Sequence, residues 1–150
     1  MQPFRLGIFL FTVLGSIPMA MSAHANSVGA LTINIDGLQN RKGQVCLSVF
    51  STSKGFPSDT TNAVQRQCLK ITDAPLRMTL KQLQPGSYAV AVLHDENNDG
   101  KANRNFLGIP TEGFGFSQNP MVLTGPPKFV DSSVLVAGPR TDVQIQLQYL

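Results

Sequence analysis

The sequence has few residues of the types that build catalytic and metal centres. It holds two cysteines and two histidines in 150 residues, and one of the histidines, His24, falls in a predicted signal peptide. Zinc sites draw on several cysteines and histidines at short spacing, and the chain has no C-x-x-C pair. It also lacks G-x-S-x-G, the turn that exposes a serine nucleophile in many hydrolases. These absences argue against a zinc site, and we expect that the protein is not an enzyme.

Charged residues are also few, and they do not cluster along the chain. Lysine, arginine, aspartate and glutamate make up 14% of the residues, and the formal net charge is +3. None of the basic residues forms the kind of run that attracts nucleic acid or an anionic membrane. We therefore expect no nucleic-acid partner and attribute the charge to solubility.

A long apolar run occurs only near the N-terminus. Residues 6–17, LGIFLFTVLGSI, follow Arg5 and precede Pro18 and the small-x-small sequence at residues 23–25. This order of a basic, an apolar and a cleavage region predicts a secretory signal peptide over residues 1–25. The alternative is a membrane anchor, but the run is shorter than the ~20 residues that span hydrocarbon. We expect export to the periplasm or the outside of the cell, with no membrane span after cleavage.

The remaining chain, residues 26–150, is predicted to form one domain. Its two cysteines, Cys46 and Cys68, most simply form a disulfide in an exported protein. The strand pattern places both on the face opposite the predicted core, so they can meet across the outside of neighbouring strands. A metal or redox role is the alternative.

Alternating hydrophobicity is the main structural signal, and helical periodicity is nearly absent. Val143, Ile145, Leu147 and Tyr149 alternate with glutamines, a period of two that is typical of a half-buried strand. Similar patterns predict six further strands, near residues 31–36, 45–49, 69–71, 76–81, 87–93 and 134–136. About seven short strands separated by glycine and proline turns predict an all-β fold, a β-sandwich. At most one short helix is expected, over residues 58–66.

The segment HDENNDGKAN, residues 94–103, is the main candidate for a metal site. A calcium loop opens with oxygen ligands at positions 1, 3 and 5, glycine at 6 and a carbonyl at 7. The residues at those positions and at position 9 are Asp95, Asn97, Asp99, Gly100, Lys101 and Asn103. Position 12 is Phe106, which offers no oxygen, so Glu112 would have to fold back to complete the shell. The alternative is a polar turn whose side chains bond its own backbone.

Two other features near this loop are candidates for function. The segment FLGIPTEGFGF, residues 106–116, interleaves aromatic residues with glycines. It predicts either an exposed recognition surface that includes Phe106, Phe114 and Phe116, or an apolar plug that folds onto one end of the sandwich.

His94 directly precedes Asp95, which raises the hypothesis of a general base. A hydrolase-like enzyme would use these two residues, with Glu112 as a further carboxylate. A nucleophile placed by the fold would also be needed, and the sequence does not show one. We favour the alternative, a histidine at the end of a strand that hydrogen-bonds the loop that follows.

The run LQPGSYAVAVLHDENNDGKANRNFLGIPTEGFGFSQNP, residues 83–120, resembles a family of exported bacterial proteins described as domain of unknown function 2141. The shared pattern is L-x-P-G-x-Y, then H-D-x-N-x-D-G-K, then N-F-L-G-I-P-x-E-G-x-G-F-S. The resemblance implies a transthyretin-like or carboxypeptidase-regulatory-like β-sandwich and implies no activity.

We therefore expect a non-enzymatic module that binds or scaffolds an extracytoplasmic protein or a glycan. In the alternative, calcium is a cofactor that orders the acidic loop and so builds the surface for that partner.

Overall fold

The structure is a computed structural model that describes residues 28–72 and 75–150, so the predicted signal peptide lies outside the described part. The described residues form eight strands and two single turns of helix. The elements in chain order are β1 Gly29–Asp36, β2 Gln44–Phe50, a 3-10 turn Thr60–Asn62, β3 Gln65–Lys70, β4 Leu76–Leu83, β5 Gly86–Asp95, β6 Gly113–Phe116, α1 Phe129–Ser132, β7 Ser133–Val136 and β8 Thr141–Gln146. None of the helical turns in these residues has the length or apolarity to cross a membrane.

The strands form two sheets. One has three strands in the order β4–β1–β8, in which β1 and β8 run parallel. The other has the order β3–β2–β5–β6, and β7 pairs with the first half of β5. The predicted all-β sandwich is confirmed, with eight strands instead of about seven. The transthyretin-like architecture stays a prediction.

The core is built from the inward-facing residues of both sheets. Leu31, Ile33 and Ile35 of β1 are fully buried, as are Val45, Leu47 and Val49 of β2. Side chains alternate between the two faces of a strand, so these residues cover one face of each sheet. In β1, β2, β4 and β8, the apolar residues of the alternating pattern are therefore the ones that face the core.

Residues 58–66 contain no α-helix, which agrees with the expectation of at most one short helix. The structure has a single 3-10 turn at Thr60–Asn62, where the Asp59 carboxylate accepts the Thr61 backbone N–H at 3.1 Å. The Val64 N–H then donates to the Val49 carbonyl at 2.7 Å. This bond returns the chain to the edge of β2, and β3 begins one residue later.

Strand β6 is an addition to the predicted set, and its position depends on the end of the chain. Gln148 and Phe114 exchange two backbone hydrogen bonds, at 2.7 and 2.9 Å. The Leu147 N–H donates to the Asp36 carbonyl at 2.8 Å. The residues after β8 therefore lie between the sheets and join β6 of one sheet to β1 of the other.

The predicted disulfide is confirmed, because Cys46 and Cys68 are direct register partners on β2 and β3 and are bonded to each other. Both side chains lie on the face opposite Val45 and Leu47, as the strand pattern predicts. Cys46 is nevertheless buried, with 5% of its surface exposed. We attribute this burial to the segment between β5 and β7, which lies over the same face and forms the site described next.

Candidate functional site

The outer face of the five-stranded sheet forms the floor of a cleft. Cys46 pairs with Leu93 and Ser48 with Ala91, while β6 places Phe114 beside Leu93 and Phe116 beside Ala91. Directly opposed residues in an antiparallel pair project to the same face. The floor is therefore a contiguous patch of small and apolar side chains: Cys46, Ser48, Ala91, Leu93, Phe114 and Phe116.

Two parts of the long connection form the walls. Residues 100–104 and 107–110 line one part of the cleft, and residues 122–126 line another. The cleft is partly open to solvent, and its volume is about 710 Å³, within the roughly 300–1,000 Å³ that small-molecule sites occupy. Several wall residues present large apolar side chains to solvent, with exposed fractions of 67% for Leu107, 39% for Ile109 and 79% for Leu123.

Asp95 organises the start of the acidic loop. It is fully buried, and its Oδ1 accepts the Asp99 N–H at 3.1 Å. Its Oδ2 accepts the Gly100 N–H at 2.9 Å and the Gln44 side-chain amide at 2.8 Å. Three donors therefore bond this carboxylate. Because two of them are backbone N–H groups of the loop, the carboxylate fixes where the loop turns back toward the cleft.

Glu112 folds back to the loop, as the calcium hypothesis required, but both of its oxygens bond backbone. Oε1 accepts the Glu96 N–H at 3.0 Å, and Oε2 accepts the Asn103 N–H at 3.1 Å. The side chain is 6% exposed. Glu112 thus links both ends of the acidic loop. These bonds also hold the wall residues that follow the loop close to the sheet.

The remaining loop oxygens are arranged in the same way. Asn97 Oδ1 accepts the Asp99 N–H at 3.1 Å, and Asp99 Oδ1 accepts the Lys101 N–H at 2.8 Å. The Lys101 bond lowers the pKa of the Asp99 carboxyl below its ordinary value. In residues 28–72 and 75–150, no group of three or more histidine, cysteine or acidic side chains is placed to hold a metal ion. Backbone N–H groups and the side-chain amides of Gln44 and Asn97 already occupy these oxygens, so we derive no step through a metal, and calcium binding stays an untested alternative.

Thermal unfolding with calcium and with chelator tests that alternative. A site with a dissociation constant of ~0.1 mM would stabilise the protein by ~2.7 kcal/mol in ~10 mM calcium. Because hydrogen bonds already close the loop, we expect no calcium-dependent shift. A shift that disappears in Asp99→Ala, whose side chain is exposed, would instead establish the site.

His94 and Asp95 point to opposite faces of β5, because they are adjacent strand residues. His94 faces the core side and is fully buried. Its Nε2–H donates to the Lys42 carbonyl at 2.8 Å, which leaves Nδ1 to accept the Tyr149 hydroxyl at 2.7 Å. Burial raises the pKa of Tyr149, so this phenol keeps the proton that it donates. His94 thus connects the β1–β2 turn to the end of the chain.

The three predicted surface aromatics have different environments. Phe106 is 94% exposed, whereas Phe116 is 8% exposed and its ring lies 6.0 Å from that of Phe56. Phe114 is half-buried and lines the cleft. The segment is therefore neither a plug nor a uniform recognition surface, because Phe116 is buried in the cleft floor, Phe114 is half-buried beside it and Phe106 faces solvent.

The glycines of this segment permit the close approach of β6 to the end of the chain. A Cβ on Gly113 would lie 2.4 Å from the Tyr149 Cζ, and one on Gly115 would lie 2.8 Å from Ile145 Cγ2. Neither distance is compatible with van der Waals contact, so the core-side positions of β6 require glycine.

Gly113→Ala is expected to lower the free energy of unfolding by about 1–3 kcal/mol, as overpacking does. The added methyl must displace Tyr149 and with it the hydrogen bond to His94. Urea denaturation followed by circular dichroism measures the loss. Gly138→Ala is the matched control, since its Cβ would meet nothing within 4 Å. Equal stabilities of the two variants would contradict this reading of β6.

Part of the cleft was among the predicted site residues: Phe114 and Phe116 as a binding surface, Lys101 as a metal ligand and Cys46 as a disulfide partner. Sequence reasoning missed the rest of the floor and the two arginines, namely Ser48, Ala91, Leu93, Arg66 and Arg104. Their proximity depends on the register of β2, β3, β5 and β6, which a single sequence does not specify. One usable signal was the position of Cys46 between Val45 and Leu47, because it identified the outer face of β2. Another signal was the sequence SYAVAVL, residues 87–93, which is apolar on both faces and therefore indicated that the outer face, with Ala91 and Leu93, is also covered.

Comparison with known proteins adds one match. The sequence model of a family described as "Uncharacterized protein conserved in bacteria (DUF2141)" matches residues 33–144. No curated protein and no solved structure matches the chain. The matched range runs from β1 into β8 and includes the whole of the acidic loop and all residues that line the cleft except Leu150.

Proposed function

The chain belongs to the DUF2141 family, and we propose that it is an exported, non-enzymatic module that binds an apolar ligand in the outer-face cleft. The observation that carries this proposal is the cleft itself. Its floor is a contiguous face of Leu93, Phe114 and Phe116 with smaller neighbours, and Leu107 and Leu123 stand exposed at its walls. Concave sites with mostly apolar linings are where proteins bind small molecules.

Burial of the exposed wall residues supplies the driving force. Covering a leucine or isoleucine side chain fully is worth about 1.5–3 kcal/mol, and Leu107 and Leu123 are each more than half exposed. A ligand that spans the cleft would cover part of these side chains and of Phe114 at once. We therefore favour an apolar ligand over a glycan, whose hydroxyl groups need many hydrogen-bond partners.

Export is supported by the disulfide. Disulfides persist in oxidising compartments such as the periplasm and the cell exterior, and Cys46 and Cys68 are bonded. The signal pattern of residues 1–25 points to the same compartment. N-terminal sequencing of the exported protein should begin at Asn26.

The proposal of a non-enzymatic role rests on the state of the candidate catalytic groups. In the described part of the chain, His94 and Asp95 are both fully buried and both bonded to structural partners. Glu112 accepts two backbone N–H groups. A general base needs access to the proton it removes, and none of these side chains offers it.

Filling the cleft tests the binding function. A neutral dye whose fluorescence rises in apolar surroundings should bind the folded protein saturably and with one site. Ala91→Phe places a ring on the cleft floor and should weaken dye binding at least tenfold. Ala137→Phe makes the same substitution at an exposed position outside the cleft and should leave it unchanged. Non-saturable binding, or equal binding by the two variants, would refute the function.

A further inference from the structure

The rim of the cleft gathers positive charge from separate parts of the chain. Among the side chains that line it, Arg66, Lys101 and Arg104 are cationic, and Glu112 is the one carboxylate. Arg66 lies on the outer face because its register partner is Ser48. Glu112 is buried and already bonded to two N–H groups, so it competes little for these cations.

Hydrogen bonds hold the cationic groups in place. The Arg66 guanidinium donates to the Gly100 carbonyl at 3.1 Å, which sets it beside Lys101. The Arg104 guanidinium donates to the Gly108 carbonyl at 2.8 Å. Each guanidinium carries five N–H donors, and the contacts named here use one donor of each. Both groups retain donors for an anionic ligand at the mouth of the cleft.

From this combination we infer that the ligand is a linear anionic amphiphile, a single fatty acyl chain that ends in a carboxylate. The inference rests on the proposed binding function and names its ligand class. The acyl chain lies over Leu93 and Phe114, between the walls that carry Leu107 and Leu123. The carboxylate lies at the rim, where Arg66 and Lys101 offer charge-assisted hydrogen bonds.

The floor of the cleft argues against a peptide as the occupant. It is the face of a sheet whose backbone N–H and C=O groups are paired within β2, β5 and β6. A peptide laid on this face would bury its own backbone groups with few partners, and each unpaired group costs free energy. An acyl chain has no such groups, so the same surface accepts it without that cost.

The experiment measures displacement of the neutral dye from the oxidised, exported protein by carboxylates and alcohols of 8 to 12 carbons, below their micelle concentrations. We expect each added methylene to tighten binding about fourfold, the factor that corresponds to burying one CH₂. Decanoate should bind about five- to tenfold tighter than decanol at low salt, and added salt should reduce this difference.

Charge variants locate the head group. In Arg66→Gln/Lys101→Gln, decanoate should lose most of its advantage over decanol. The readout is the ratio of the two affinities, so an effect common to both ligands cancels. Lys42→Gln/Arg77→Gln removes the same charge at exposed positions that do not line the cleft and should have no effect. If the dye binds but decanol competes as well as decanoate, or neither competes, the ligand class is wrong while the binding function stands. Pelleting with anionic vesicles without displacement by free decanoate would assign the surface to membranes and overturn the inference. Failure of the dye itself to bind would refute the proposed function instead.

Discussion

Replacing Asp95 by alanine is expected to lower the free energy of unfolding by about 3–5 kcal/mol. Hydrogen bonds to charged groups contribute about 1.5–3 kcal/mol each, and this carboxylate accepts from Asp99, Gly100 and Gln44. The loss is less than the sum, because the two backbone donors can reach water once the loop opens. Total stability of a domain is only about 5–15 kcal/mol, so the variant should be marginal.

Urea denaturation measures the loss, and two variants calibrate it. Asp95→Asn keeps one acceptor oxygen and should show an intermediate loss. Asp99→Ala removes a carboxylate of the same loop whose side chain is exposed, and its effect should be much smaller. A difference of less than ~1 kcal/mol between Asp95→Ala and the native protein would mean that the loop holds itself without this carboxylate.

Removing the disulfide is the second large effect, with an expected loss of about 3 kcal/mol. Cys46 and Cys68 are 22 residues apart, and the chain-entropy estimate for a loop of this size is close to that value. The Cys46→Ala/Cys68→Ala protein should also bind the neutral dye more weakly. The disulfide attaches β3, and with it Arg66, to the strand that carries part of the cleft floor.

Reduction provides the control for this variant. A reductant should destabilise the native protein by about the same amount and leave the double-alanine variant unchanged. Thiol titration of the protein purified without reductant should find no free thiols. Two titratable thiols, or a double variant as stable as the oxidised protein, would contradict the structural role of the bond.

The sequence predicts the two-sheet fold because most strands have one covered face. Val143 and Ile145 alternate with glutamines, so their strand is visible in the residue pattern alone. Strand β6 is not visible, since its core-side positions are Gly113 and Gly115 and carry no side chains. The reason for those glycines is the approach of Tyr149 and Ile145, residues about 30 positions later in the chain.

The site was predictable only in its local parts. The pattern D-x-N-x-D-G identified a loop that turns on Asp95, and the need for a distant carboxylate pointed to Glu112. The spacing could not show what those oxygens bind, because carboxylate and amide oxygens both accept hydrogen bonds from backbone N–H groups and coordinate metal ions. The cleft is non-local, since it brings together Cys46, Arg66 and Leu123 through strand register and the path of a long connection.

Nuclear Overhauser measurements between decanol and the methyl groups of the oxidised protein test the central claim most directly. Decanol has no charge, so the result does not depend on the proposed head-group contacts. We predict contacts to Leu93, Leu107 and Leu123, all of which line the cleft. Contacts of equal strength to Leu135 and Val130, which are exposed elsewhere, or no contacts at saturating decanol, would contradict the account.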